Sequence, residues 1–207
     1  MSFGRRPGPS SERDSTDCGK AAAMATLSYS AIMSLDGYVE DVNGDFDFAV
    51  PDEEMHRMAN EQARQAAAFL FGRRMYEVME EPWTAAARRD DLPEIEADFA
   101  RAYVDTPRIV FSDTLDTVPE GVRLVRGRDA VAEVTRLKAE TEGVLDLGGA
   151  GLAASLVDLV DDYRLYVKPV VLGGGKPFLP TPRPVRLRLV GQREVGDGLF
   201  CHFRRDE

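Results

Sequence analysis

The chain has 207 residues, 43% of them hydrophobic, and a formal net charge of −10 at pH 7. This length is enough for one domain with a sizeable core, and the negative charge argues against an electrostatic nucleic-acid binder, which needs a basic face to displace counterions. No apolar run approaches the roughly 20 residues needed to cross a bilayer, so the composition predicts a soluble protein without a membrane segment.

Cysteine and histidine usage excludes two further classes. Cys18 and Cys201 are far apart in the sequence, so we expect no disulfide framework, which fits a reducing cytoplasm. His56 and His202 share no ligand spacing, and the acids of the loop at 41–47 lack the terminal glutamate of a calcium loop. We therefore predict no metal site.

Residues 1–23 are rich in glycine, proline, serine and charged side chains, and Phe3 is their only aromatic residue. Such a segment cannot bury enough apolar surface to offset the entropy of ordering, so it is predicted to be a disordered tail. It also lacks the apolar stretch of a signal peptide. Met24 directly precedes the first strand-like run, so the tail is either dispensable or the product of an upstream start codon. We predict one domain over 24–207.

Beyond Met24, predicted strands alternate with predicted helices. The strands are predicted over residues 26–33, 68–71, 108–111, 122–125, 144–147 and 162–172. The helices are predicted over residues 51–66, 73–79, 95–103, 129–141 (apolar at Val131, Val134 and Leu137) and 152–160, with a loop over 82–93. Leu199, Cys201 and Phe203 alternate beyond a Gly-Asp-Gly turn, which predicts a terminal hairpin. The expected fold is α/β, a mostly parallel sheet flanked by helices with an antiparallel C-terminal hairpin.

The segment 144–152 ends a predicted strand in Gly148-Gly149-Ala150-Gly151-Leu152 at the start of a helix. Such a turn presents bare backbone N–H groups to a phosphate. Glycine allows positive φ there and lets a pyrophosphate approach the backbone. A strand-to-helix turn of this kind is as often a simple chain reversal, so both interpretations stay open on this motif alone.

Four segments and a following run occur in one characteristic order. They are Ser34-Leu35-Asp36-Gly37-Tyr38-Val39, Phe71-Gly72-Arg73-Arg74-Met75-Tyr76-Glu77, Val110-Phe111-Ser112-Asp113-Thr114-Leu115, Leu147-Gly148-Gly149-Ala150-Gly151-Leu152 and the run 161–178. From Met24 to Arg205 the chain resembles the dihydrofolate reductase-like family, related to the C-terminal reductase domain of bifunctional riboflavin-biosynthesis deaminase/reductases. No deaminase zinc motif precedes the domain, so we expect no bifunctional enzyme.

The resemblance implies that NADPH lies across the carboxyl ends of the strands. It implies cofactor contacts at Ile32, Val39, Gly72, Arg73, Arg74, Ser112, Asp113, Gly148, Gly149, Ala150, Gly151 and Leu152. A guanidinium suits phosphate because it is planar and permanently charged. Arg73 can also be a solvated charge, although the helix dipole disfavours a cation at a helix start unless an anion compensates.

Asp113 departs from the family pattern, which commonly has arginine after the serine at the adenosine end. An acid repels the 2′-phosphate of NADPH but can accept hydrogen bonds from ribose hydroxyls. Asp113 therefore makes NADH a possible cofactor beside NADPH. Alternatively, Asp113 caps a turn and Arg126 or Arg128 supplies the missing charge.

Three further residues are candidates for the substrate end of the site. Asp36 can orient or protonate the substrate directly, or it can form a turn, since Asp-Gly is a common turn dipeptide. Tyr76 and Glu77 are expected to face the cleft from a short helix, although Tyr76 fits the core equally well.

The resemblance implies an NAD(P)H-dependent oxidoreductase that transfers a hydride to a small heterocyclic (pteridine- or pyrimidine-like) or carbonyl substrate. Related activities would be 5-amino-6-(5-phosphoribosylamino)uracil reductase and dihydrofolate reductase. It also implies a homodimer, and the cysteine usage described above predicts a cytoplasmic location. The alternative is a non-catalytic nucleotide- or small-molecule-binding protein of the same fold.

Overall fold

A computed structural model describes Met1 and residues 24–206. Apart from Met1, the predicted N-terminal tail and Cys18 lie outside the described residues. None of the helices in the described part of the chain is long and apolar enough to cross a membrane.

In the described part of the chain, ten strands form two sheets. They are β1 Thr26–Ser34, β2 Tyr38–Glu40, β3 Ala66–Gly72, β4 Arg108–Phe111, β5 Val122–Val125, β6 Val144–Gly148, β7 Asp162–Lys168, β8 Lys176–Pro177, β9 Leu187–Val195 and β10 Gly198–Arg205. Eight of them form one sheet in the order β5-β4-β3-β6-β1-β7-β10-β9, and β2 pairs with β8. The pairings from β5 to β7 are parallel, and β10 is antiparallel to both β7 and β9. The predicted fold class is therefore confirmed.

Among the described residues, five α-helices cover the two faces of the large sheet. They are α1 Glu53–Gln65, α2 Arg73–Ala86, α3 Glu94–Asp105, α4 Ala130–Glu140 and α5 Ala150–Ser155. One face packs against α4 and α5 in a core that includes Tyr29 and Leu147. The other face packs against α1, α2 and α3 around Phe69, Phe71 and Tyr103.

The first helix begins where the sequence predicts. Asp52 is its N-cap, and a carboxylate oxygen accepts the backbone N–H of Met55 at 2.9 Å. This hydrogen bond lowers the pKa of Asp52. The cap fixes the start of α1. Met58 and Ala63 lie on the side of this helix that faces the sheet, and both are buried.

The second helix is longer than predicted, because it continues through Pro82 to Ala86 instead of becoming a loop at residue 82. Proline in a helix interior removes one hydrogen bond and lowers helix stability, yet the residues on either side of Pro82 keep the helical conformation. Beyond it, the ring of Trp83 packs on Phe99 with centroids 4.5 Å apart. The Thr84 hydroxyl donates to the Glu80 carbonyl at 2.6 Å.

Two other elements are shorter than predicted, and one residue predicted on the apolar face of its helix, Val131, is exposed. The fifth helix ends at Ser155 rather than at residue 160, and β7 ends at Lys168 rather than at residue 172. Pro169 follows Lys168 and has no N–H to continue the ladder. Val131 of α4 is 52% exposed, because the buried stripe of that helix runs through Ala130 and Val134.

Candidate active site

A cavity of about 890 Å³ opens at the carboxyl ends of β4, β3, β6 and β1. Its walls also include α1, the start of α2 and the loop before α1. We call it the main cavity. Ligands of open α/β sheets bind at this edge, since the loops that follow parallel strands converge there.

The start of α5 lies beside the start of α2, because β6 and β3 are neighbours and Phe71 pairs with Gly148. A Cβ on Gly148 would lie 2.8 Å from the Phe71 ring, so only glycine fits. Gly149 has φ +104°, a conformation that L side chains rarely adopt. Gly72 and Gly149 are the N-caps of the two helices, and among the described residues no side chain caps either one.

Two arginines occupy the first turn of α2 and line the main cavity. Arg73 pairs with Glu77 at 2.9 Å, and Arg74 donates to the Gly44 carbonyl at 2.9 Å. A Glu40 oxygen lies 3.3 Å from Arg74. Both arginine side chains are half exposed. The Arg73–Glu77 pair is exposed on both sides and contributes little stability, so the Arg73 guanidinium can turn toward an anion at small cost.

Ser112 and Asp113 follow β4 and line the far end of the main cavity. The Ser112 hydroxyl accepts the N–H of Leu115 at 3.0 Å. The Asp113 carboxylate accepts the N–H of Gly127 at 2.9 Å, so it does hold a turn. Arg126 does not line the cavity, since its guanidinium donates to the Leu115 carbonyl at 2.8 Å. The side chain of the nearby Arg128 is 80% exposed and lies outside the cavity wall.

Asp36 does not line the main cavity. Its carboxylate accepts the Ser34 hydroxyl at 2.7 Å and the backbone N–H groups of Leu172 at 3.1 Å and Gly173 at 2.7 Å. These hydrogen bonds, the one from Ser34 foremost, lower the pKa of Asp36. The carboxylate thus joins the first loop to the segment after β7, and this geometry favours the turn-forming interpretation over direct catalysis.

The expectation that Tyr76 and Glu77 face the cleft is wrong. Tyr76 is buried in the core beside Phe71, and Glu77 turns back to pair with Arg73. Both line a separate depression on the other side of α2. Successive helical residues are 100° apart, so the cavity-facing side of α2 carries Met75 and its neighbours one turn on instead.

His56 and Trp83 line the main cavity. The His56 ring makes edge contacts with Trp83 at 5.9 Å and Phe99 at 5.7 Å. Its Nδ1 lies 3.0 Å from the amide oxygen of Asn60. Together they form an aromatic wall on the helical side of the cavity.

Asp146 is the main residue that sequence reasoning missed. It lies in the middle of β6, between Phe69 of β3 and Ser28 of β1, and it lines the main cavity. Burial raises the pKa of its carboxyl group to about 6, although the positive charge of Arg164 opposes the shift. The available signal was an acid at the centre of a strand predicted to be buried.

Two residues that line the same cavity as Asp146 carry hydroxyl groups that are themselves buried. The Ser30 Oγ and Tyr166 Oη atoms find no hydrogen-bond partner among the described residues. Tyr166 is only 5% exposed, and burial raises the pKa of its hydroxyl, which therefore stays protonated. Because an unpaired buried polar group costs free energy, we call Asp146, Ser30 and Tyr166 the polar floor of the cavity.

Residues 25–201 match the RibD C-terminal domain family, and the chain belongs to this family. It is 27% identical to the uncharacterized protein YyaP of Bacillus subtilis over 171 residues, which cover 81% of this chain and 87% of that protein. The resemblance stated from the motifs is therefore confirmed.

Solved structures share the fold at low sequence identity. A diaminohydroxyphosphoribosylaminopyrimidine deaminase/5-amino-6-(5-phosphoribosylamino)uracil reductase of Thermotoga maritima has a TM-score of 0.64 and 15% identity, covering 88% of this chain and 57% of that one. Dihydrofolate reductase of Enterococcus faecalis, complexed with NADP(H), has a TM-score of 0.60 and 17% identity, covering 88% and 97%.

Proposed function

We propose that this protein is an NAD(P)H-dependent reductase that transfers a hydride to a small pteridine- or pyrimidine-like heterocycle or a carbonyl compound. The observation that carries the proposal is the main cavity itself, which joins two glycine-capped helix starts to the half-buried carboxylate of Asp146. Family membership and the fold shared with two reductases support it.

The residues at the open edge fit a dinucleotide. Gly148 leaves no room for a Cβ, and Gly149 needs positive φ, so both keep the backbone accessible to a pyrophosphate. Gly72 and Arg73 would hold the phosphates from α2, where N–H groups and guanidinium charge coincide. Gly151, Ala150, Leu152 and Arg74 complete this proposed phosphate site.

The reduced nicotinamide ring supplies the hydride when it is bound. We expect Ile32 and Val39 to pack against that ring, since both line the cavity on the β1 side. The chain itself contributes orientation and water exclusion, which its apolar and aromatic wall provides. Such chemistry requires no nucleophilic residue.

The cofactor is proposed to be NADPH, with NADH as the alternative. The related dihydrofolate reductase supports NADPH. Asp113 favours NADH, because its carboxylate lines the adenosine end while Arg126 and Arg128 lie outside the cavity wall. The carboxylate already accepts one N–H from Gly127, which leaves further acceptor capacity for a ribose hydroxyl.

We further propose a cytoplasmic homodimer that pairs through the β9 edge of the sheet. β9 is the outermost strand, and it exposes Leu189 and Val190. An apolar edge strand is a ready template for a second chain. Light scattering should give a dimer for the wild type and a monomer for Leu189→Lys, whereas Val131→Lys on α4 should remain dimeric. A monomeric wild type would contradict this part of the proposal.

The test of the reductase proposal is a titration with NADPH and, separately, NADH. Trp83 is the single tryptophan of the chain and lines the cavity, so its fluorescence reports binding, and the melting temperature gives a second readout. We expect binding of one cofactor in the micromolar range typical of such enzymes. A folded protein that binds neither would favour a non-catalytic binding role.

A further inference from the structure

A second depression, of about 800 Å³, lies on the other side of α2 from the main cavity. We call it the rear depression. Most of its wall comes from α2, and the start of β4 and the loop before β5 complete it. None of its side chains belongs to the proposed cofactor site, so its ligand would be a different molecule. Its charged lining consists of four glutamates and two arginines: Glu77, Glu80, Glu81, Glu120, Arg88 and Arg108.

The floor of the rear depression is a buried ion pair. The Oε2 atom of Glu80 accepts the Tyr103 hydroxyl at 2.8 Å and the Nε–H of Arg108 at 3.0 Å. The Nη1 atom of Arg108 also donates to the backbone carbonyls of Val104 and Thr106. The charge of Arg108 is thus compensated within the protein. The second carboxylate oxygen of Glu80, Oε1, makes no hydrogen bond to a described residue and is not sealed from solvent.

The Tyr76 hydroxyl is a second group without a partner at this floor. Tyr76 is 7% exposed, and its ring packs in the core beside Phe71. Its hydroxyl makes no hydrogen bond among the described residues, yet it is not sealed from solvent as the hydroxyls of Ser30 and Tyr163 are. Burial, and then the charge of Glu80, raise the pKa of this hydroxyl, so it stays protonated. A buried polar group without a partner is costly, and a ligand of the rear depression would supply one.

We propose that the rear depression binds a small organic cation with two or more ammonium groups. One ammonium group donates to the Tyr76 hydroxyl and to Oε1 of Glu80 at the floor. Another lies near the exposed carboxylates of Glu81 and Glu120 at the rim. An ammonium group carries three donors and no acceptor, so it can satisfy both floor oxygens at once.

The charge and the spacing of the lining favour an extended cation over an anion or a metal ion. Ion pairs within the protein leave Glu81 and Glu120 against the single cation Arg88, so the rear depression has an excess of negative charge. Among the described residues, no three acidic, histidine or cysteine side chains lie close enough together to hold a metal ion. Carboxylates separated in this way match a ligand whose positive charges are also separated.

Spermidine is the probe, and isothermal titration calorimetry at low ionic strength measures its affinity, since salt screens such contacts. Wild type should show saturable binding. Tyr76→Phe keeps the ring in the core and removes only the hydroxyl, so it should weaken binding about tenfold. Tyr163→Phe is the matched control and should leave the affinity unchanged, because it removes an unpartnered hydroxyl from the other face of the sheet. Full affinity in Tyr76→Phe, or a wild type that does not bind, overturns the proposal.

Charge variants test the rim, and they decide the matter even if Tyr76→Phe folds poorly, because both rim positions are exposed. The double variant Glu81→Gln/Glu120→Gln should weaken spermidine binding about fivefold. Glu61→Gln/Glu142→Gln removes the same charge from positions outside both cavities and should bind like the wild type. An equal loss in the two double variants would mean that spermidine responds only to the net charge of the protein, which contradicts the proposal.

Hexaamminecobalt(III) separates the shape of the ligand from its charge. It carries the same charge as spermidine at neutral pH, but it is compact and cannot reach the floor and the rim together. Wild type should therefore bind it about tenfold more weakly than spermidine, whose linked ammonium groups engage both places. Equal affinity for the two ions would show attraction by charge alone and would overturn the proposal.

Discussion

The two ends of the main cavity are built by opposite means, although β6 contributes to both. At the open edge, Gly148 and Gly149 act through what they lack, since a Cβ would strike Phe71 or strain the backbone. Two residues earlier, Asp146 contributes a partly desolvated carboxylate with Arg164 nearby. The glycine turn at the open edge lowers the stability of the fold little. Asp146 lowers it more, because its charge is partly removed from water. One strand thus joins a backbone site for phosphate to a titratable side chain in the same cavity.

The largest effect on the glycine end of the cavity is expected from a substitution of Gly149. Gly149→Val should abolish NADPH binding while the protein still folds, because a branched residue at φ +104° distorts the turn locally. Fluorescence titration checks binding, and circular dichroism checks the fold. Gly191→Ala is the control, since a Cβ there meets nothing within 4 Å. Normal cofactor binding by Gly149→Val would remove the glycine turn from the proposed site.

Asp146→Asn should stabilise the protein at pH 7.5. The folded-state pKa of about 6 lies above the ordinary value of 3.8, so ionisation destabilises the fold. The penalty is absent below pH 3.8, grows between the two values and is complete above pH 6. Its size is about 2–3 kcal/mol at most.

Chemical denaturation of wild type and Asp146→Asn at pH 4 and pH 7.5 measures this difference. The gain should be large at pH 7.5 and small at pH 4. An equal gain at both values would mean that the carboxyl group is not desolvated.

Arg73→Gln should weaken NADPH binding by about tenfold, which corresponds to about 1.4 kcal/mol. The loss arises because the guanidinium no longer reaches the phosphates, and it should shrink at high salt. Arg101→Gln is a suitable control, since Arg101 lies on α3 away from the cavity wall. Unchanged affinity would show that Arg73 serves only its surface pair with Glu77.

The smallest expected effect concerns the choice of cofactor. Asp113→Asn keeps an acceptor for the Gly127 N–H but removes a negative charge beside the adenosine end. The ratio of NADPH to NADH affinity should rise severalfold. Titration with both cofactors measures the ratio, and Asp116→Asn, an exposed acid outside the cavity wall, should leave it unchanged. An unchanged affinity ratio for Asp113→Asn would mean that the 2′-position of the bound cofactor does not lie beside Asp113.

The open edge could be predicted from the sequence because its features are local. Gly72-Arg73 and Gly148-Gly149 each end a short apolar run, and strand-to-helix turns follow from that pattern alone. The polar floor could not be predicted, since Asp146, Ser30 and Tyr166 are far apart in the chain and meet only through strand order. The same limit explains the error at Tyr76 and Glu77, because the cavity-facing side of α2 depends on how the helix packs.

A crystal structure of the protein with NADPH tests the central claim most directly. The account predicts the pyrophosphate against Gly148 to Leu152 and Gly72, with the nicotinamide ring beside Ile32 and Val39 and its reactive face open toward Asp146. A dinucleotide bound elsewhere, or with its nicotinamide directed away from Asp146, would contradict it.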